Sequence, residues 1–169
     1  MKAVFALQVA LRPPTIQDAP GIWELVRSAK GSDADSAYFY LLWCHEFSRT
    51  SVVATAGNRV VGFLLGYVRQ DHLDTLVVWQ EGVAPCCHVS GLRLRMLNEV
   101  VRNNSGCGVS FLETTATPHD KEVVRLVERF ARGRDARVLR REIFAAEFFP
   151  DMHVAEMLYT IGPFGKRRS

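Results

Sequence analysis

The sequence predicts an α/β fold in a single domain, and three observations carry that prediction. Segments with strand-like apolar alternation are interleaved with segments of helical spacing. A Gly57-Asn58 turn between two β-branched runs marks a hairpin in the first half of the chain. With 169 residues, 48% apolar and 23% charged, the chain can bury one substantial core and has an ordinary globular balance.

Taken in order, Phe5–Arg12 alternates loosely and meets Pro13 and Pro14, so a strand is expected to end in a stiff corner. Thr15-Ile-Gln-Asp18 has the spacing of a capping box, with Asp as the reciprocal acid. Ile22, Leu25, Val26 and Ala29 follow at helical spacing until Gly31. A second helical segment is expected over Ser32–Phe47, with Tyr38, Leu41, Leu42 and His45 on one face. Ser51–Ala56 and Arg59–Val68 form the hairpin, and Asp74–Val83 is a third strand. After the loop Ala84–Ser90, Gly91–Arg102 carries Leu92, Met96, Leu97 and Val100 at helical spacing. Gly106–Thr115 reads as a buried strand through Val109, Phe111 and Leu112. Pro118 suits the first position of a helix running to about Arg132, with Val123, Leu126, Val127 and Phe130 as its stripe. Ala136–Arg141 and Ala155–Ile161 are the last strands, with an irregular stretch over 148–151 between them. The expected order is β-α-α-β-β-β-α-β-α-β-β in one domain over 1–169, with 1–7 and 165–169 as flexible ends.

Several function classes are disfavoured. No apolar run approaches the roughly 20 residues that span a bilayer, and Met1–Gln8 lacks the features of a secretory signal. A cytoplasmic protein that does not engage membrane is therefore expected. A net charge of +3 is too small to argue for nucleic acid but is compatible with a phosphate-bearing ligand. The basic stretch Arg132, Arg134, Arg137, Arg140 and Arg141 lacks the aromatic interleaving of a nucleic-acid surface. Cys44, Cys86, Cys87 and Cys107 show no zinc-ligand spacing, and the adjacent Cys86, Cys87 and His88 cannot all face one tetrahedral ion. No metal is expected, and the cysteines read as reduced thiols.

Six segments in order carry a resemblance: Arg12-Pro-Pro-Thr15, Asp33-Ala-Asp-Ser-Ala-Tyr38, Phe47-Ser48, Asp74-Thr-Leu-Val-Val-Trp-Gln80, Phe111-Leu-Glu-Thr-Thr-Ala-Thr-Pro118 and Leu158-Tyr-Thr-Ile-Gly-Pro163. From about Leu11 to Phe164 the chain resembles the L-2,4-diaminobutyrate acetyltransferase family of the GCN5-related N-acetyltransferase superfamily. The resemblance implies a twisted, mixed but mostly antiparallel sheet of six to seven strands flanked by about four helices. It also implies acetyl transfer from acetyl-CoA to the γ-amine of 2,4-diaminobutyrate, the step that makes the ectoine precursor, by a homodimer.

A diamino acid carries two ammonium groups and a carboxylate, so its pocket needs acids, a donor and exclusion of water. Carried onto this sequence, the family pattern places Asp33 against an ammonium and Tyr38 against either the substrate or the leaving thiolate. Asp35 stands where the family has Asn. Trp79 would wall the substrate tunnel. His153 is the candidate base or proton relay, since an alkylamine must lose a proton before it attacks. Glu156 would bind the α-ammonium. Of Thr114 and Thr115, alternation along a strand sends one toward substrate and the other into the core without deciding which, and Thr115 is carried as the candidate.

On the coenzyme side, the superfamily rests a pyrophosphate on backbone N–H groups at a helix N-terminus, where small residues allow close approach. The corresponding residues here are Glu81, Gly82, Val83, His88, Val89, Ser90, Gly91, Leu92, Arg93 and Asp120. Several depart from the family pattern. His88 replaces its arginine, Val89 a glycine, Ser90 its lysine, Arg93 a small residue and Asp120 an asparagine, and Glu81-Gly82 stands for Val-Ala. Weakened acetyl-CoA binding is therefore expected, with a carboxylate at Glu81 adding a desolvation cost. The second reading is a divergent, non-catalytic relative that binds a diamino acid but acetyl-CoA poorly. A third is an acetyltransferase for another amine.

Overall fold

The computed structural model describes residues 8–28, 36–150 and 154–164. The strands are β1 (Val9–Arg12), β2 (Val52–Ala56), β3 (Arg59–Val68), β4 (Thr75–Val83), β5 (Phe111–Ala116), β6 (Arg137–Phe144) and β7 (Glu156–Gly162). The helices are α1 (Ala19–Ser28), α2 (Ala37–Glu46), α3 (Leu92–Asn104) and α4 (Lys121–Arg132). The strands are hydrogen-bonded in the order β1-β2-β3-β4-β5-β7-β6. The expected mixed sheet is thus present, with β4 and β5 parallel and β1–β2, β2–β3, β5–β7 and β6–β7 antiparallel.

The chain divides into two compact units, Met1–Leu65 with Gln80–Val100, and Gly66–Trp79 with Val101–Ser169. In the first unit, the hairpin turns where the sequence predicts, with Gly57 at φ +57°. Val52, Val53, Phe63, Leu64 and Leu65 are buried, together with Ile22 and Leu25 of α1 and Met96 and Leu97 of α3. Each such side chain contributes about 1.5–3 kcal/mol of apolar burial. The second unit packs Leu76, Leu112, Val127, Phe130, Leu158 and Ile161.

The Thr15–Asp18 box is present: the Thr15 N–H and hydroxyl donate to Asp18 Oδ2 at 2.7 and 2.9 Å. It closes a short 3-10 turn that leads into α1. Arg12 adds a two-pronged contact, its Nη1 and Nη2 each donating to the Asp18 carboxylate at 2.7 Å.

Three element readings need correction. The second helix begins at Ala37, with the extended Ser36 as its N-cap; its Tyr38, Leu41 and Leu42 face points outward, and Tyr40 and Cys44 are the buried residues. This helix is apolar nearly all round, so periodicity cannot choose its inner face. The fifth strand begins at Phe111, not Gly106, because Ser105–Cys107 is a 3-10 turn and Gly108 sits at φ +84°, which a strand cannot hold. Finally, α4 begins at Lys121 rather than Pro118. The Asp120 carboxylate accepts from the Glu122 and Val123 amides at 3.1 and 3.0 Å and sets that start.

Candidate active site

In the first unit, β4 ends in Glu81, Gly82 and Val83 and leads through Ala84–Gly91 into α3. A Cβ on Gly82 would lie 2.8 Å from the buried Phe63 ring, so glycine here lets the strand close against its own core. The Ala84 N–H donates to Val61 O at 2.9 Å, and the Cys87 N–H to Ala84 O at 2.8 Å. His88 and Ser90 are exposed and Val89 is half-buried. The left-handed residue of the loop is Gly91, at φ +71° with open space where a Cβ would be. Val89 is not at positive φ, so the loop avoids the strain its loss of a glycine suggests.

Leu92 is buried and anchors the first turn of α3, which contains no acid. A 13-residue helix of this kind presents first-turn N–H groups and the positive end of its dipole, which suits an anionic pyrophosphate. Arg93, in that turn, is turned to β4: its Nε donates to Glu81 Oε1 and Oε2 at 2.7 and 2.9 Å, and its Nη2 also contacts Oε1. The Glu81 side chain is 13% exposed. Two departures from the family pattern therefore meet as one ion pair.

A cavity of about 490 Å³ lies in the same unit between α1, the hairpin turn and Ala84–Cys86. Its charged lining is Asp18, Glu24 and Arg59, so it leans acidic and suits a phosphate less well than the start of α3 does.

Tyr38 lies in the first turn of α2 and is 70% exposed, which excludes a core-packing role. The tyrosine of α2 that does pack is Tyr40, fully buried, whose hydroxyl donates to Gln80 Oε1 at 3.4 Å. It ties α2 to the residue after Trp79 and was not singled out from the sequence. The only signal was its place two residues beyond the matched Tyr38. Burial, and then the nearby charge of Asp18, push the Cys44 thiol up to about 11, so it is an inert core residue. Asp33 and His153 lie outside the described residues.

In the second unit, the β4–β5 ladder runs only from Thr75↔Phe111 to Val78↔Thr114. Beyond it, β5 continues to pair with β7 through Thr115↔Leu158 and Ala116↔Met157, and β4 continues without it. At this parting Trp79 is 57% exposed and Thr115 is exposed, while Thr114 is half-buried. Trp79 is therefore not a core tryptophan. Glu156 opens β7, half-buried and in register with Phe144. Asp120 spends its carboxylate on capping α4.

Glu113 is buried beside these residues and is occupied otherwise. Its carboxylate accepts from Arg69 Nη1 at 3.0 Å and Thr160 Oγ1 at 2.9 Å. Arg69 in turn donates from Nε and Nη2 to Asp71 at 2.9 and 2.8 Å. The sequence signals Glu113 as part of a matched segment but not its partner, 44 residues away. Among the described residues, no cluster of His, Cys, Asp and Glu could hold a metal ion, and no helix is long and apolar enough to cross a membrane.

Solved structures place this arrangement in a known class. The ribosomal-protein-S18-alanine N-acetyltransferase of Escherichia coli is similar over 95% of this chain and 97% of its own, with a TM-score of 0.74 at 14% identity, which establishes the N-acetyltransferase fold. The diaminobutyrate acetyltransferase of Paenibacillus lautus, solved with its substrate L-2,4-diaminobutyric acid and coenzyme A, matches with a TM-score of 0.88 and 31% identity, over 97% of this chain and 100% of its own. The L-2,4-diaminobutyric acid acetyltransferase of Streptomyces coelicolor is 40% identical over 153 residues, 89% of this chain and 90% of its own. That of Nocardia farcinica is 36% identical over 156 residues, 92% and 81%. No family model matches the chain. The chain belongs to the L-2,4-diaminobutyric acid acetyltransferase family.

Proposed function

We propose that this protein moves the acetyl group of acetyl-CoA to the γ-amine of L-2,4-diaminobutyrate by direct attack in a ternary complex. The observation that carries this reading is the full-length correspondence with the Paenibacillus lautus enzyme, itself described with diaminobutyric acid and coenzyme A. Acetyl-CoA supplies the acetyl group, and coenzyme A leaves as the thiol. The chain's part is to hold the amine, take its proton and exclude water.

The first turn of α3, with Gly91 and the backbone of Ser90–Arg93, is the support for the pyrophosphate, and Gly82 and Val83 line the approach along β4. Trp79 and Thr115 are assigned to the amine substrate, Glu156 to its α-ammonium, and Tyr38 to substrate or leaving thiolate. Tyr38, Trp79 and Thr115 are exposed and Glu156 is half-buried, which supports these roles, since none is consumed in the core. Asp33 and His153 keep their family assignments, an ammonium partner and a base or relay. The non-catalytic alternative loses two of its supports, because the Glu81 carboxylate is paired with Arg93 and Asp120 has a local structural use.

The same reading places the protein in the cytoplasm, making an ectoine precursor, as one acetyltransferase domain acting as a homodimer. The single domain is supported by β3, β4 and α3, each of which runs through both units. Self-association is supported by β6, the last strand in the sheet order, which leaves Leu139 and Phe144 exposed, with Phe148 exposed just beyond it.

The test is calorimetric titration with coenzyme A, followed by turnover of acetyl-CoA with diaminobutyrate and a panel of other amines. Micromolar coenzyme binding and preference for diaminobutyrate are expected, whereas diaminobutyrate binding without coenzyme binding overturns the proposal. Trp79→Ala should lower kcat/KM for the amine roughly 100-fold through lost positioning. Its melting temperature should barely move, because the side chain is mostly in solvent.

A further inference from the structure

Glu81 and Arg93 are 12 residues apart, one on the end of β4 and the other in the first turn of α3. A carboxylate on the strand that leads into the coenzyme loop should repel a coenzyme that carries several phosphate charges. The repulsion is larger because the Glu81 side chain is largely withdrawn from water. Yet Arg93 meets both carboxylate oxygens, using its Nε and Nη2 edge. That edge is committed to Glu81, and the planar fork makes the match specific to arginine.

We propose that Arg93 is a positioning residue that acts on the coenzyme through Glu81: it cancels the carboxylate and holds it against α3, so that the end of β4 presents no net charge to the incoming anion. The proposal rests on the acetyltransferase reading above. It differs from a direct phosphate contact by Arg93, for which Glu81 would be a bystander. Under this assignment the two residues form a single functional unit, in which Glu81 without Arg93 is worse than both together or neither.

A thermodynamic cycle on the full chain tests this, with Arg93→Ala, Glu81→Gln and the double variant, read by calorimetric Kd for coenzyme A, KM for acetyl-CoA, kcat and melting temperature. Arg93→Ala should raise Kd and KM for acetyl-CoA about tenfold or more, with a smaller change in kcat, because it strands a charge that was paired. Glu81→Gln should act in the opposite direction and tighten binding about threefold, since it leaves a cation beside an anionic ligand. Adding Glu81→Gln to Arg93→Ala should recover most of the loss. Should Arg93→Ala fail to fold, Arg93→Gln carries the same test, since it removes the charge and keeps a side chain that can donate to Glu81. A double variant as weak as Arg93→Ala, weaker binding by Glu81→Gln, or an unchanged Kd in Arg93→Ala each overturns the proposal. Absence of coenzyme binding by the unaltered chain would instead remove the acetyltransferase reading, and this inference with it.

Discussion

The end of β4 and the middle of β5 each take a glutamate out of water and each meet it with an arginine, but they do so differently. Glu113 on β5 is 10% exposed and is shared by the Arg69 guanidinium and the Thr160 hydroxyl, so it links the segment after β3 to β5 and β7. Arg69 is itself fixed by Asp71, and the hydrogen bonds from Arg69 hold the Asp71 carboxyl at about 2. Those contacts with Asp71, and then with Glu113, raise the Arg69 pKa. Glu81 is met by Arg93 along one guanidinium edge. A carboxylate held by several groups on different elements is part of the frame. One held by a single side chain next to a ligand loop is able to set that loop's charge.

This contrast predicts opposite rankings for stability and for coenzyme affinity. Arg69→Ala strands Glu113 in the interior and should cost about 2–3 kcal/mol, the lower part of the range for breaking a buried pair because Arg69 keeps some solvent contact. Arg93→Ala should cost less in the free protein, about 1 kcal/mol, since it breaks one contact between a strand end and the next helix, whereas Arg69 joins Glu113 to Asp71. Urea denaturation midpoints measure both. Equal costs would erase the distinction between frame and loop. Glu113→Gln should cost about 1 kcal/mol, less than Arg69→Ala, because an amide oxygen still accepts from Thr160 and no charge is stranded.

The same contrast explains what was legible in the sequence. Signals that act over a few residues are legible: Gly57-Asn58 sets the hairpin, and Thr15 with Asp18 sets the turn into α1. The mixed sheet is implied by the ordered family segments, while the parallel pairing of β4 with β5 is visible only in the structure. The inward face of α2 was not legible, because a helix with Tyr38, Leu41 and Leu42 outside and Tyr40 and Cys44 inside has no polar side to mark. The start of α4 is obscured because Pro118 is a good first residue in isolation, while Asp120 wins by satisfying two amides. Glu81 and Arg93 were each visible as oddities. That they meet was not visible, since an ion pair across a loop leaves no periodic trace.

Acid sharpens the comparison within the first unit. Burial works to raise the Asp18 pKa, but hydrogen bonds from Arg12 and from the Thr15 N–H and hydroxyl outweigh it and hold the carboxyl below the usual range. Its stabilising contribution is therefore complete above the unfolded value near 3.9 and is lost as pH falls through the lower folded value. Asp18→Asn should cost about 1–2 kcal/mol at neutral pH, by weakening the box and the Arg12 contact. It should also flatten the decline in stability below about pH 4. An acid limb of the same slope in wild type and variant would show that Asp18 is not the group responsible.

The smallest effect expected is at Asp120, and it separates two uses of one position. If the carboxylate matters because it caps α4, then Asp120→Asn keeps an acceptor for the Glu122 and Val123 amides and should change stability by less than about 0.5 kcal/mol. Asp120→Ala should cost about 1 kcal/mol, the ordinary loss of a helix cap. Neither should change the coenzyme A Kd by more than about twofold if capping is the whole role. A marked tightening by Asp120→Asn at constant stability would mean that the acid repels the coenzyme. Position 120 would then carry an uncompensated charge of the kind that Arg93 removes at Glu81, and the affinity of this chain would be set at two places along its sequence.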